Sequence, residues 1–201
     1  MKIMMLSDLY PPFQGGIEAH VESLGNQLSK RGHEVHVCTI GRRDLPDYEE
    51  KNGVRIYRLG GLFQKIPFLF KDPARKWHPP ARDWLISKRL AQIMEKERPD
   101  IIHAHGWMVY SIIPLKKRFK IPLVYTMHDY RLFCPKMLLV REDKICVQPS
   151  LGGCISCMCS DYGLPRALAA YYGVRANRNK LRHVEIFIAV GDFVKDASEK
   201  Y

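Results

Sequence analysis

The chain has 201 residues, of which 46% are hydrophobic and 26% charged, which is room for one domain or one and a half. That balance excludes disorder, collagen and coiled coil, and the lack of an apolar run of about 18 residues excludes a transmembrane helix. Thirty-two Lys and Arg against 21 Asp and Glu give a net charge of +11, an excess that suits an anionic partner such as a nucleotide, a phosphosugar, a lipid headgroup or a nucleic acid.

Met1 to Leu6 is apolar but reaches Ser7 and Asp8 too soon for a secretory signal, so a cytoplasmic chain is expected. Lys2 to Leu6 reads as a short buried strand, followed by a loop with Pro11, Pro12 and Gly15-Gly16. Ile17, Val21, Leu24 and Leu28 recur at spacings of 4, 3 and 4, one face of a helix that Gly32 ends. Strands are expected over Glu34 to Ile40 and Val54 to Leu59. Gly60 to Pro80 is a long connection, and Arg82 to Lys96 a helix stopped before Pro99. Asp100 to Ala104 is a strand, Met108 to Arg118 a helix near Pro114, and Leu123 to Met127 a further strand. Tyr130 to Pro165 reads as irregular and holds most of the cysteines. Arg166 to Arg182 is helical, Glu185 to Val190 a strand, and a last helix begins at Asp192. Apolar strands alternating with helices indicate a parallel sheet covered on both faces, an α/β Rossmann-like doubly wound sheet in a single domain.

In such a sheet, ligands bind outside the carboxyl ends of the strands. Three groups fall there. Gly15-Gly16 opens the first helix, where bare backbone approaches a ligand and helix amides face negative charge; an ordinary tight turn is the simpler reading. The pair is neither a dinucleotide fingerprint nor a Walker loop. His103 and His105 end one strand, two residues apart and therefore on one face. His128 and Asp129 follow the next strand, where a histidine suits hydrogen bonding, acid–base work or phosphate contact. A histidine metal site lacks a third ligand that the sequence can place.

Cys134, Cys146, Cys154, Cys157 and Cys159 lie within 26 residues. Four thiolates with a C-x2-C step would hold a structural zinc, and Cys134, Cys146, Cys154 and Cys157 are the candidate ligands. The spacing matches no standard double pair, so disulfides and free thiols stay open. Phe63, Ile66, Phe68, Leu69, Phe70 and Trp77 mix with Lys65, Lys71, Arg75 and Lys76 in the long connection. Such a segment either rests on an anionic membrane or packs as a loop over a pocket. Arg166, Arg175, Arg178, Lys180 and Arg182 lie in a stretch free of acidic residues, a solvated helix face or an anion-binding surface. Scarce Asn and Gln beside Lys, Arg and Glu are consistent with a thermophilic source.

These residues also carry a family resemblance. "MKIMMLSDLYPPFQGGIEAHVESLGNQLSKRGHEVHVCT" resembles the start of family 4 glycosyltransferases, which have the GT-B fold. "RPDIIHAHGWM" resembles their strand ending in His-x-His, "IPLVYTMHDY" their next strand and histidine, and "VEIFIAVGDFVKD" the last strand and helix of their N-terminal domain, where Ser often replaces Gly191. The four motifs occur in the family's order over essentially the whole chain, residues 1–201, with a Cys-rich insertion at about 130–165. The resemblance implies a retaining transferase that moves a sugar from a nucleotide-sugar donor to a glycan, lipid or small-molecule acceptor without a metal. It assigns the acceptor to this N-terminal half. It places His128 at the reacting sugar or acceptor, Gly15 and Gly16 against the donor phosphates and sugar, and His105 on the acceptor side; Asp129 follows His128 as a substrate-binding candidate.

The family's second domain, with its paired glutamates, has no counterpart before Tyr201. A half enzyme inactive without a C-terminal nucleotide-sugar domain, in cis or in trans, is therefore expected. The rival expectation is a non-catalytic binding module that uses the basic surface and the Cys-rich knuckle. No RNA-binding or helix-turn-helix motif is visible, which disfavours a nucleic-acid partner.

Overall fold

A computed structural model describes all residues except 67, 68, 71, 73–75, 147, 148 and 201. The chain forms β1 (Lys2–Ser7), α1 (Gly16–Lys30), β2 (Glu34–Ile40), β3 (Tyr48–Lys51), β4 (Val54–Leu59), α2 (Trp84–Glu97), β5 (Ile101–Ala104), α3 (Val109–Phe119), β6 (Leu123–Met127), β7 (Val140–Arg141), β8 (Lys144–Ile145), α4 (Leu151–Tyr162), α5 (Leu164–Asn177), β9 (Ile186–Ala189) and α6 (Asp192–Lys200). Seven strands make one sheet in the order β3-β4-β2-β1-β5-β6-β9. All neighbours are parallel except β3, which pairs antiparallel with β4.

Strand alternation divides the core in two. Ile3, Met5, Val35, Val37, Val54 and Ile56 face α1, whose Val21 is fully buried and whose Ile17, Leu24 and Leu28 pack beside it. Met4, Leu6, Cys38, Ile102 and Ala104 face the opposite layer of α2 and α3, joined by Val174 of α5. The helical periodicity of the sequence is thus realised as the seam of α1. Gly32 follows the C-cap with φ +83°, a left-handed turn that suits glycine.

Three local features differ from expectation. The sheet is not purely parallel: Asn52-Gly53, with φ of 54° and 75°, turns a hairpin that adds β3 as an antiparallel edge. An Asn-Gly pair is the usual sequence signal for such a turn. The segment 130–165 is not irregular throughout, because β7 and β8 pair as a small hairpin and α4 is a three-turn helix. Ser150 caps α4 by accepting the Gly153 N–H at 3.2 Å, and an uninterrupted apolar and thiol face carries it on. The helix after it, expected to run on to Arg182, ends at Asn177 and continues as a tighter 3-10 turn from Arg178 to His183.

Asp83 fixes the long connection. One carboxylate oxygen caps α2 by accepting from Leu85 and Ile86, and the other accepts from the Leu62 and Phe63 amides at 2.7 and 3.2 Å. Of the apolar and basic residues noted in that connection, Phe68, Lys71 and Arg75 lie outside the described residues.

Candidate functional site

Because the central strands are parallel, their carboxyl ends share one edge of the sheet, and the chain delivers a different polar group there from each. β1 leads to Asp8 and, through the proline loop, to the amino end of α1. β5 leads to His105 and Gly106, and β6 to His128 and Asp129. Gly15 is the N-cap of α1 in extended conformation, and a side chain at Gly16 would project into open space. The first turn of α1 therefore leaves Gly16 bare, while the Glu18 carboxylate of the same turn lies against Gly15.

His105 Nδ1 and His128 Nε2 are 3.0 Å apart, one hydrogen bond between two imidazoles. His103 lies beside them, its ring centroid 4.1 Å from that of His105, and its Nε2 meets Thr126 Oγ1 at 2.7 Å. The shared face expected for His103 and His105 is what the strand produces. A fourth histidine joins from α1. His20, one turn beyond Gly16, sets its ring edge-on to His128 at 4.9 Å. The donor nitrogens of His20, His105 and His128 lie within 4.8 Å of one another, so this trio supplies the third imidazole that the sequence could not place.

Three of these rings, His103, His105 and His128, are held neutral. Burial, followed by the nearby His20 and Arg131, lowers His128 to about 4, with Asp129 opposing. Burial and then His20 lower His103 to about 4. His105 is driven well below its ordinary value by burial and then by His103 and His128. At neutral pH His103, His105 and His128 are hydrogen-bonding groups, each with a donor and an acceptor nitrogen, rather than cations.

A buried clamp locks the three loops together. Asp8 accepts the Trp107 and Met108 amides at 2.9 Å each, at the start of α3. It also accepts from Arg131 Nη1 at 3.0 Å, both side chains being 5% exposed. Arg131 grips Asp129 with Nε and Nη2, at 2.7 Å for Nη2. Burial disfavours the guanidinium charge, but the Asp129 bonds and the charges of Asp129 and Asp8 outweigh it and push its pKa up. Gly106 permits the clamp: a Cβ there would lie 2.5 Å from the Asp8 carboxylate. Asp129, a substrate-binding candidate by sequence, is here committed largely to Arg131.

Beside the clamp opens an apolar cavity of about 490 Å³. Phe63, Phe70, Trp77 and Trp107 line it, with Pro135 and Met137 from the Cys-rich segment on another side. His78 is fully buried at this wall, its Nε2 2.8 Å from Ser111 Oγ. Arg131 carries its guanidinium over the faces of Trp107 and Trp77, 5.7 and 6.0 Å from the ring centres. Hence Phe63, Leu69, Phe70 and Trp77 of the long connection line a pocket, as in the loop-packing reading of that segment. Among the described residues no helix is long and apolar enough to cross a membrane.

Sequence reasoning missed Asp8, Gly106, Arg131 and His20. His20 had a signal, its four-residue spacing from Gly16 on a helix that starts at the ligand edge. Asp8 and Arg131 are 123 residues apart, and only the sheet order brings them together.

A mostly parallel α/β sheet with helices on both faces and its polar groups gathered at one carboxyl edge is a Rossmann-like arrangement, the half-fold from which GT-B glycosyltransferases are built. Two solved structures share the fold. A sucrose-phosphate synthase of Thermosynechococcus elongatus has a TM-score of 0.51 at 16% identity, covering 94% of this chain and 46% of that one. UGT2 of Phytolacca americana has a TM-score of 0.52 at 10% identity, covering 94% and 47%. The chain belongs to Glycosyltransferase Family 4, whose family model matches residues 14–201. It is 34% identical over 138 residues to an uncharacterized glycosyltransferase of Methanocaldococcus jannaschii, covering 64% of this chain and 31% of that protein. It is 33% identical over 141 residues to a glycogen synthase of Mycobacterium tuberculosis, covering 64% and 33%. An alpha-monoglucosyldiacylglycerol synthase of Streptococcus pneumoniae is 27% identical over 152 residues, covering 72% and 31%. The chain thus spans about a third of the length of these curated relatives.

Proposed function

We propose that this chain is the acceptor-side half of a retaining glycosyltransferase that takes a sugar from a nucleotide-activated donor and passes it to a glycan, lipid or small-molecule acceptor. The observation that carries this reading is the meeting, at one sheet edge, of a glycine-flanked helix amino end, a neutral histidine pair and an adjoining apolar cavity. Departure of a nucleoside diphosphate develops negative charge, and fixed amides at Gly15 and Gly16 stabilise it without reorganisation. His128 keeps Nδ1 outside its bond with His105, which leaves one nitrogen to contact a sugar or acceptor hydroxyl. A neutral imidazole is suited to that task because it does not repel the oxocarbenium-like sugar and still offers a hydrogen bond. The apolar cavity beside Trp107 and Arg131 would take the acceptor, and its aromatic walls favour one with an apolar or ring-shaped part. The transfer needs no metal in this reading.

The donor's nucleotide would be held by a second domain that these 201 residues do not contain. Ile186, Phe187, Ile188, Val190 and Phe193 are exposed at the β9 edge, an apolar strip that further protein would cover. The reading is tested by sugar transfer from radiolabelled nucleotide sugars to lipid and oligosaccharide acceptors. Both the 201-residue chain and the complete product of the reading frame that encodes it are assayed. Transfer is expected only with a second domain present. Robust turnover by the 201-residue chain alone would overturn the half-enzyme reading. Salt-sensitive nucleic-acid binding without any transfer would favour a binding module instead.

A further inference from the structure

We propose that Cys134, Cys146, Cys154 and Cys157 are the four ligands of a structural zinc ion, which fastens the 130–165 segment and with it one wall of the apolar cavity. The four come from three separate pieces of chain: the turn after Arg131, the residue that follows β8, and α4. All four line a single small cavity of about 30 Å³, the size of one water or one ion. Cys159, the fifth thiol of the cluster, is not among the residues lining it.

The backbone is tightly turned at this point. The Met137 amide donates to the Cys134 carbonyl at 2.9 Å, which closes a turn at the first ligand. Left-handed residues at Met137 and Leu139, with φ of 68° and 52°, curl the chain around it. Such non-glycine conformations persist only where surroundings impose them. The Cys146 amide bonds the Leu139 carbonyl at 2.9 Å, which ties the second ligand to the first turn. Cys154 and Cys157, three apart, share one face near the amino end of α4, where the helix dipole favours negative sulfur. Cys157 Sγ lies 3.8 Å from the Val140 carbonyl, so the helix face abuts the hairpin. A knuckle, a hairpin and a helix start thus bring four thiols to one cavity.

Four thiols that bind zinc release four protons and form a centre of charge −2. Lys136 and Arg141 line the same cavity, each paired with an acidic side chain, Asp161 at 2.9 Å and Glu142 at 3.3 Å. Among the described residues, only the imidazole trio already brings three donor atoms within 4.8 Å. The thiols ring their cavity more loosely, and would draw in to about 3.8 Å of one another on an ion with Zn–S bonds of about 2.3 Å. Pro135 and Met137, one and three residues after the first ligand, face the 490 Å³ cavity, so the ion would hold that wall in place.

The test is the metal content of the purified chain, measured by elemental mass spectrometry. About one zinc per chain is expected. It should be retained in Cys159→Ser and in His20→Ala, and fall to below about a tenth in Cys154→Ser and Cys157→Ser. Since a serine variant that unfolds would lose zinc trivially, the wild-type chain is also stripped with a mercurial and rebuilt with Co2+. Intense visible d–d absorption with sulfur-to-cobalt charge transfer is expected, with about four protons released per ion. Hydrogen exchange over residues 134–139 should rise on stripping and fall on rebuilding. Zinc retained by Cys157→Ser, zinc lost in His20→Ala, iron with labile sulfide in place of zinc, or disulfides among the four in freshly purified protein would each overturn the proposal.

Discussion

Replacing Asp8 by Asn tests the clamp on which the candidate site rests. The substitution preserves shape and removes one charge. Asp8 accepts three hydrogen bonds, two from the Trp107 and Met108 amides and one from Arg131, in a setting where both charged side chains are 5% exposed. An Asn side chain offers one oxygen in place of two, so its amide would face either a backbone N–H or the guanidinium. Breaking a buried pair by removing one partner costs about 3–5 kcal/mol. Arg131 keeps its grip on Asp129, which places the expected loss near the lower end, about 3 kcal/mol. Urea unfolding followed by tryptophan fluorescence and circular dichroism gives the difference directly, since Trp107 sits on the clamp. A cycle with Arg131→Met should show a coupling of about 1–3 kcal/mol. Asp44→Asn, which breaks the exposed pair with Arg42, should leave stability unchanged. A loss below about 1 kcal/mol for Asp8→Asn, with coupling near zero, would refute the claim that the three loops are held by this pair.

Gly106→Ala should destabilise by about 1–3 kcal/mol, because its Cβ would lie 2.5 Å from a carboxylate that three donors hold in place; unfolding curves that overlay the parent would contradict the close approach. Stability should fall as pH drops from 6.5 to about 4, since His103 and His128 fall to about 4 in the fold. Their depressed native pKa means that the unfolded chain binds more protons in this window, so the contribution is complete above 6.5 and lost on acidification, by up to about 3 kcal/mol for each ring. Urea midpoints at stepped pH check this, and a flat profile between 6.5 and 5 would contradict buried neutral imidazoles. Gly16→Val adds a side chain that meets open space, so the midpoint should shift little, within about 1 kcal/mol, while transfer by the complete enzyme falls at least about tenfold; unimpaired transfer would remove Gly16 from the ligand path.

The repetitive parts of this fold were legible because they repeat. Near-continuous apolar strands, the Ile17–Val21–Leu24–Leu28 face and the left-handed Gly32 each carry their own signal, and all appear as expected. The parallel order then placed Gly15, Gly16, His105 and His128 on one edge. What was not legible depends on contacts between distant segments. Asp8 read as a loop residue until β1 and β5 were neighbours, which puts it under the first turn of α3. Arg131 read as one more basic residue until its partners Asp8 and Asp129 were on either side of it. The helix α4 was hidden for the opposite reason, since Gly152, Gly153 and three cysteines are poor helix formers and Ser150 had to be recognised as its cap.

The central claim is that the carboxyl edge of this sheet is the acceptor side of a sugar-transfer site with His128 at the reacting groups. It is tested most directly by transfer of radiolabelled sugar from nucleotide sugars, in the complete product of the reading frame and in its His128→Ala variant, with folding of both checked by circular dichroism. The parent should label an acceptor, and the variant should lose at least about a hundredfold in rate while its far-UV spectrum is preserved. A folded His128→Ala variant that transfers sugar at the parental rate would contradict the account.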